Sequence, residues 1–180
     1  MTERSGERLR PAVDAARSRT EKLKPILAGR GTGVAPGDLF LFPLASDLAF
    51  CWAALLQHPD DAALWFAVPT DDNPLAGSAD LVAGESASGD PVTLRCGLGL
   101  WVPQDAFAKA QRAGVLAEAD VRQARARLAA LARGKLRVSA AQEATENDPA
   151  YEAWMTEVAG AEEMLSSLLA GAADPHNPPA

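Results

Sequence analysis

Phe50-Cys51-Trp52-Ala53-Ala54-Leu55-Leu56-Gln57-His58-Pro59-Asp60-Asp61-Ala62-Ala63-Leu64-Trp65-Phe66-Ala67-Val68 is the stretch that decides the fold. Two short apolar runs, Phe50 to Gln57 and Ala63 to Val68, flank His58-Pro59-Asp60-Asp61, whose residue types are turn formers for backbone reasons. Strand, turn, strand with so short a connection is an antiparallel hairpin. Upstream, Ala35-Pro36-Gly37-Asp38 reads as a turn leading into Leu39-Phe40-Leu41-Phe42, a strand that Pro43 ends or pushes to an edge. Downstream come the polar loop from Pro69 to Pro74, a weak strand at Asp80–Val82, a Gly/Ser-rich loop and a last strand, Val92–Val102. Gly97 and Gly99 break that last strand with a bulge or a sharp bend. The pattern predicts an α+β protein built on a small curled antiparallel β-sheet or SH3-like barrel.

Helical signals flank this module. Pro11 to Leu27 carries a weak apolar stripe (Val13, Ala16, Leu23, Leu27), and Gly29-Arg30-Gly31-Thr32-Gly33 reads as a linker. Lacking a preceding strand and a closing Gly-Lys-Ser/Thr, that linker is not a phosphate loop. On the C-terminal side, Asp105 is placed to cap a short helix ending at Gly114. A second helix has Glu118 and Asp120 in its first turn and its arginines later, which suits the helix dipole, and Gly134 stops it. A polar stretch leads to Asp148-Pro149, a cap with proline at the first helical position, and a last helix bearing Tyr151, Trp154, Met155, Val158, Leu165 and Leu168 on one stripe. The expected organisation is a basic helical arm and linker (1–35), an acidic β-module (36–103), a helical region (104–171) and a tail (172–180). The two C-terminal helices form a hairpin that packs together or lies against the sheet.

Charge is distributed unevenly. Residues 1–36 carry eight basic and four acidic side chains, for +4. Residues 37–105 carry ten acidic side chains and one basic, Arg95, for −9. The remainder is −2. A module with a single arginine releases few counterions from a polyanion, so nucleic acid is not the expected ligand and a basic protein is the expected partner. The longest apolar run, Leu48 to Leu56, falls far short of the roughly 20 residues that cross a bilayer. The charged opening Met1-Thr2-Glu3-Arg4-Ser5 offers no signal-peptide core. Cys51 and Cys96, each inside an apolar run, read as buried thiols of a cytoplasmic protein, with a strand-to-strand disulfide as the alternative.

Catalytic constellations are not legible. His58 sits in a turn and His176 in the tail, and neither they nor the cysteines show metal-ligand spacing, so no cofactor or metal is expected. Asp60-Asp61 and Asp71-Asp72 fall in turns, and Ser46, Ser78, Ser86 and Ser88 fall in loops outside any nucleophile elbow. In the last strand Val92, Leu94 and Cys96 alternate inward, turning Thr93 and Arg95 to the other face. An arginine alone among ten carboxylates pairs with them, or else recognises an anion. Trp52, Trp65 and Trp101 are core material for a small sheet, or binding anchors where exposed beside an acidic rim.

Gly37-Asp38-Leu39-Phe40-Leu41-Phe42, followed by Trp52-Ala53-Ala54-Leu55-Leu56 and the glycine-kinked last strand, resembles the small SH3-like barrel of PemK/MazF-type toxins over residues 36–102. The resemblance implies that architecture. The family's opening strand leads to an arginine that serves RNA cleavage, whereas Pro43 to Gln57 contains none here, so ribonuclease activity is not implied.

Three functional readings follow. The first is a non-enzymatic protein-binding or regulatory protein using Asp60, Asp61, Asp71, Asp72, Arg95, Trp65 and Trp101. The second is a small-barrel enzyme or toxin-like protein with an anion pocket at Arg95. The third is a structural protein that self-associates through residues 148–171.

Overall fold

The computed structural model describes residues 33–45, 48–84 and 91–172. The expected N-terminal helical arm, most of the tail, Ser46, Ser86, Ser88 and His176 lie outside these. Seven strands appear among the described residues: β1 (Asp38–Pro43), β2 (Ala49–Gln57), β3 (Leu64–Asp71), β4 (Asp80–Ala83), β5 (Val92–Arg95), β6 (Leu100–Pro103) and β7 (Gln111–Val115). Four helices accompany them: α1 (Gln104–Phe107), α2 (Glu118–Ala132), α3 (Ala140–Glu146) and α4 (Pro149–Ala172). The strands form one antiparallel sheet in the order β4-β5-β3-β2-β1-β7, with β6 also pairing with β3. The sheet curls without closing, and the expected α+β class with a curled antiparallel sheet is what the chain adopts.

Both faces of the sheet are covered, which is why β1 and β2 read as unbroken apolar runs rather than as alternating ones. Leu39, Leu41, Cys51, Ala53 and Leu55 point to one face, where Val121 and Ala124 of α2 complete the core. Phe40, Phe42, Phe50, Trp52 and Ala54 point to the other, against Phe107 of α1 and Val158, Ala161 and Leu165 of α4. The two long helices each lie against the sheet, but on opposite faces rather than together as the expected hairpin.

The predicted hairpin is β2–β3, paired antiparallel from Cys51–Thr70 to Gln57–Trp65 with a bulge between Ala54 and Leu56. The Leu55 carbonyl in that bulge accepts a hydrogen bond from Arg125 Nε of α2 at 2.8 Å, so the irregularity leaves no acceptor stranded. β3 runs through Pro69, where the sequence suggested an end. Gln104 N donates to Ala63 O at 2.7 Å, which fixes the alternation: Ala63, Trp65, Ala67 and Pro69 turn their backbone toward the β6 side. Pairing with β6 stops at Ala67 and pairing with β5 starts at Thr70. Pro69 therefore faces the gap between the two strands, where no ladder bond is lost to its missing N–H.

A second difference concerns residues 111–115. The sequence reads a helix from Asp105 to Gly114, but only Gln104–Phe107 is helical, and Gln111–Val115 pairs with β1 as an edge strand. The sheet thus continues beyond residue 103. Its edge on β1 outweighs the weak helical signal of this stretch, as sheet context commonly does. A third difference is α3, read as a polar stretch. Ser139 and Gln142 build a full capping box there, a signal present in the sequence. The stops and starts elsewhere behave as expected: Gly134 takes φ +61° after α2, and Asp148 Oδ1 accepts from Ala150 N at 2.8 Å at the start of α4.

The glycine break in the last strand is a complete division into β5 and β6, joined by residues 96–99. A Cβ on Gly99 would come within 2.8 Å of both Ala67 O and the Phe66 ring. Gly99→Ala is expected to cost about 1–3 kcal/mol, the scale for forcing atoms into a packed site. Urea unfolding measures it, and a midpoint equal to wild type would mean that the β5–β6 turn yields freely.

Candidate functional site

Arg95 has no solvent exposure and organises one end of the sheet. Its Nε and Nη2 donate to the two oxygens of Asp71, each at 2.7 Å, and Nη1 donates to Asp80 Oδ2 at 2.9 Å. The remaining donors reach Leu75 O at 2.6 Å and Asn73 O at 3.1 Å. A guanidinium has five N–H bonds, and all five are used inside the chain, leaving none for an external anion.

Strand pairing brings these groups together. Asp71 lies opposite Thr93, and Asp80 opposite Arg95, so β3, β4 and β5 each contribute one charge. Helix α4 adds two donors one turn apart: Tyr151 Oη to Asp80 Oδ2 at 2.8 Å and Trp154 Nε1 to Asp71 Oδ2 at 3.2 Å. The loop between β3 and β4 is held from outside as well. Ser78 N and Oγ donate to Glu146 Oε1 of α3 at 2.6 and 2.5 Å, and Arg127 of α2 donates to the carbonyls of Ser78 and Asp80.

The electrostatics follow from burial. Desolvation pushes the Asp71 carboxyl above its ordinary range, opposed by Arg95 and by the N–H groups of Trp154 and Asn73. Four N–H donors converge on its two oxygens, a setting built for a carboxylate. The Arg95 guanidinium is held above its already high range by Asp71 and Asp80, against the effect of its own burial. Desolvation, followed by the nearby Asp80 charge, raises the Tyr151 hydroxyl. Desolvation and Asp80 together push the Cys96 thiol up to about 12. Neither cysteine is in a disulfide, and both are buried.

These placements alter the acidic module. Of the ten carboxylates in 37–105, Asp38, Asp71 and Asp80 are buried. Asp38 accepts from Arg112 Nη2 at 2.9 Å and Ala35 N at 2.8 Å. Asp47, Glu85 and Asp90 lie outside the described residues, and Asp60, Asp61, Asp72 and Asp105 are exposed. Asp72 is separated from Asp60 and Asp61 by the length of β3, about 25 Å at the usual strand rise. The four aspartates therefore form no single surface, and Asp71 faces inward. Trp65 is 4% exposed and belongs to the core on the α4 face.

Trp101 is different. It is 42% exposed, with the Phe66 ring 5.3 Å and the His58 ring 4.8 Å from its own, both edge-on. Phe66 is its direct partner across the β3–β6 ladder, and His58 belongs to the β2–β3 turn that also holds Asp60 and Asp61. The turn is ordered by its own side chains: Asp60 N donates to His58 Nδ1 at 3.2 Å, and Ala63 N to Asp61 Oδ1 at 2.9 Å. The bond from Gln104 N to Ala63 O ties α1 to the end of the turn. On the sheet's other face a cleft of 840 Å³ opens at the same end, lined by Phe40, Ala63, Pro103, Asp105 and Phe107 among others.

The chain matches no protein-family model and no curated protein. Among the described residues no three His, Cys, Asp or Glu side chains gather as a metal site, and no helix is long and apolar enough to cross a membrane. The parts of the Trp101 cluster that sequence reading left out, Phe66 and His58, sit on separate elements. The −9 count did not single them out, because neither is acidic and only the β2–β3 turn and the β3–β6 register bring them to Trp101.

Proposed function

We propose that this chain is a non-enzymatic binding protein that takes a basic, aromatic-tolerant protein segment at the β2–β3 turn, with Trp101 as anchor. The observation that carries the reading is the exposure of Trp101 within an aromatic cluster whose rim is acidic. A large indole held in place by two neighbouring rings loses little conformational freedom on binding, which is why tryptophan is enriched among binding hot spots. Asp60 and Asp61 supply the sign of the rim, and rim charge governs association rate and partner choice more than final affinity.

The arrangement also limits the mode of binding. By the alternation along β6, Leu100 and Val102 face β3 and Trp101 and Pro103 face outward. Pro103 has no N–H, and Gly99 N donates to Glu162 Oε1 at 3.3 Å. That edge offers the Trp101 backbone and little more, so a long added strand is disfavoured. Side-chain capture is the favoured mode.

Selection of a displayed random-peptide library on the immobilised chain tests this. Enriched peptides are expected to be rich in lysine and arginine and to bind more weakly as salt rises. Trp101→Ala is expected to weaken them by about 30-fold or more, the hot-spot scale. The Asp60→Asn, Asp61→Asn double variant should chiefly slow association. Enriched peptides that are acidic, or whose binding ignores both variants and salt, would overturn the assignment.

A further inference from the structure

We infer that the outer face of α4 is the contact surface of a two-fold homodimer. The inner stripe of this helix, Val158, Ala161 and Leu165, is already consumed by the core beneath β1 and β2. Met164 and Leu168 nevertheless stand 37% and 46% exposed on the outside. Leu168 forms a ridge between two depressions. One is bounded by Leu44, Gly160, Glu163 and Met164. The other, strongly apolar, is bounded by Phe42, Pro43, Ala106 and Lys109.

A knob with a hollow on each side suits a partner of the same shape. A two-fold axis lying in this face and passing by Leu168 exchanges the two depressions, so each Leu168 enters a hollow of the partner. The same operation brings Glu163 of one copy to Lys109 of the other. Both side chains are exposed and have no ion-pair partner among the described residues. The charge pattern favours this approach over others. Helix α4 carries four glutamates and no lysine or arginine, so two such helices repel unless the Lys109 side of one meets the Glu163 side of the other. Gly160 agrees with this. It sits within a long helix, where glycine is unfavourable, and a Cβ there would meet nothing within 4 Å. The chain's own packing does not require it, whereas close approach of a second helix does.

The surface lies on the α4 face, apart from Trp101, and does not depend on the peptide-binding reading. Sedimentation equilibrium of the full chain tests it, with a mass expected at twice 18.8 kDa. Leu168→Asp should return the mass of one chain. Gly160→Leu, which favours the helix and fills the hollow, should leave folding intact and also abolish the dimer. Lys109→Glu and Glu163→Lys, each alone, should raise the dissociation constant about tenfold or more, and together should restore it. A wild-type chain that sediments as a single copy at every concentration overturns the proposal. So does a dimer indifferent to Leu168→Asp and to the charge exchange.

Discussion

Replacing Arg95 by methionine is expected to cost about 3–5 kcal/mol, the range for removing one partner of a buried ion pair, and so a large share of a small domain's stability. The triad Asp71–Arg95–Asp80 carries a net charge of −1 with all three side chains buried. Without the guanidinium, two carboxylates face each other in the interior, Leu75 O loses its donor, and Asn73 O keeps only the Thr93 hydroxyl. One oxygen of Asp80, Oδ1, already has no hydrogen-bond partner, so this carboxylate has no slack to absorb the loss. Arg95→Lys is expected to recover little, since an ammonium cannot serve five acceptors spread around a planar fork. The combination Arg95→Met, Asp71→Asn, Asp80→Asn removes every charge and should regain part of the loss. That partial recovery separates the electrostatic cost from simple packing. Urea unfolding of the series measures it, and an Arg95→Met variant within about 1 kcal/mol of wild type would show that the triad is dispensable.

The triad also marks how far the sequence could be read. The alternation Val92-Thr93-Leu94-Arg95 correctly turns Arg95 away from Leu94, and of the two roles its isolation suggested, pairing with carboxylates or recognising an anion, the structure shows the pairing. Its partners were not legible, because Asp71 and Asp80 reach it only through the β3–β5 and β4–β5 registers, and register is a tertiary property. The hairpin of β2 and β3 was legible because its turn chemistry is local. β7 was not, because residues 111–115 become a strand only when β1 presents an edge. The same distinction governs the site. The net charge of the module is a correct sum over residues, but burial removes Asp38, Asp71 and Asp80 from the displayed field. What remains at the β2–β3 turn is smaller, and it is organised around one exposed indole.

That internal use of charge has a further consequence at high pH, where the chain is expected to lose stability through Cys96 and Tyr151. The Cys96 thiol is raised from its ordinary 9.0 to about 12 in the native state by burial and by Asp80. Below pH 9 both the folded and the unfolded chain keep this proton, and its contribution to stability is fully present. Above pH 9 the unfolded chain releases the proton while the native state holds it. Unfolding then gains about 1.4 kcal/mol per pH unit, on the order of 4 kcal/mol by pH 12. Tyr151 acts in the same direction above pH 10, because its hydroxyl donates to the Asp80 carboxylate and is raised by burial. Cys96→Ala should therefore be somewhat less stable at neutral pH, from a small lost contact, yet show a flatter decline between pH 9 and 11. Tyr151 is the one tyrosine of the chain, so the ultraviolet band of its phenolate reports it alone and should appear only together with unfolding. Parallel stability profiles for wild type and Cys96→Ala across this range, or a phenolate that forms while the chain remains folded, would mean that the Asp80 side of the cluster is open to solvent rather than sealed beneath α4.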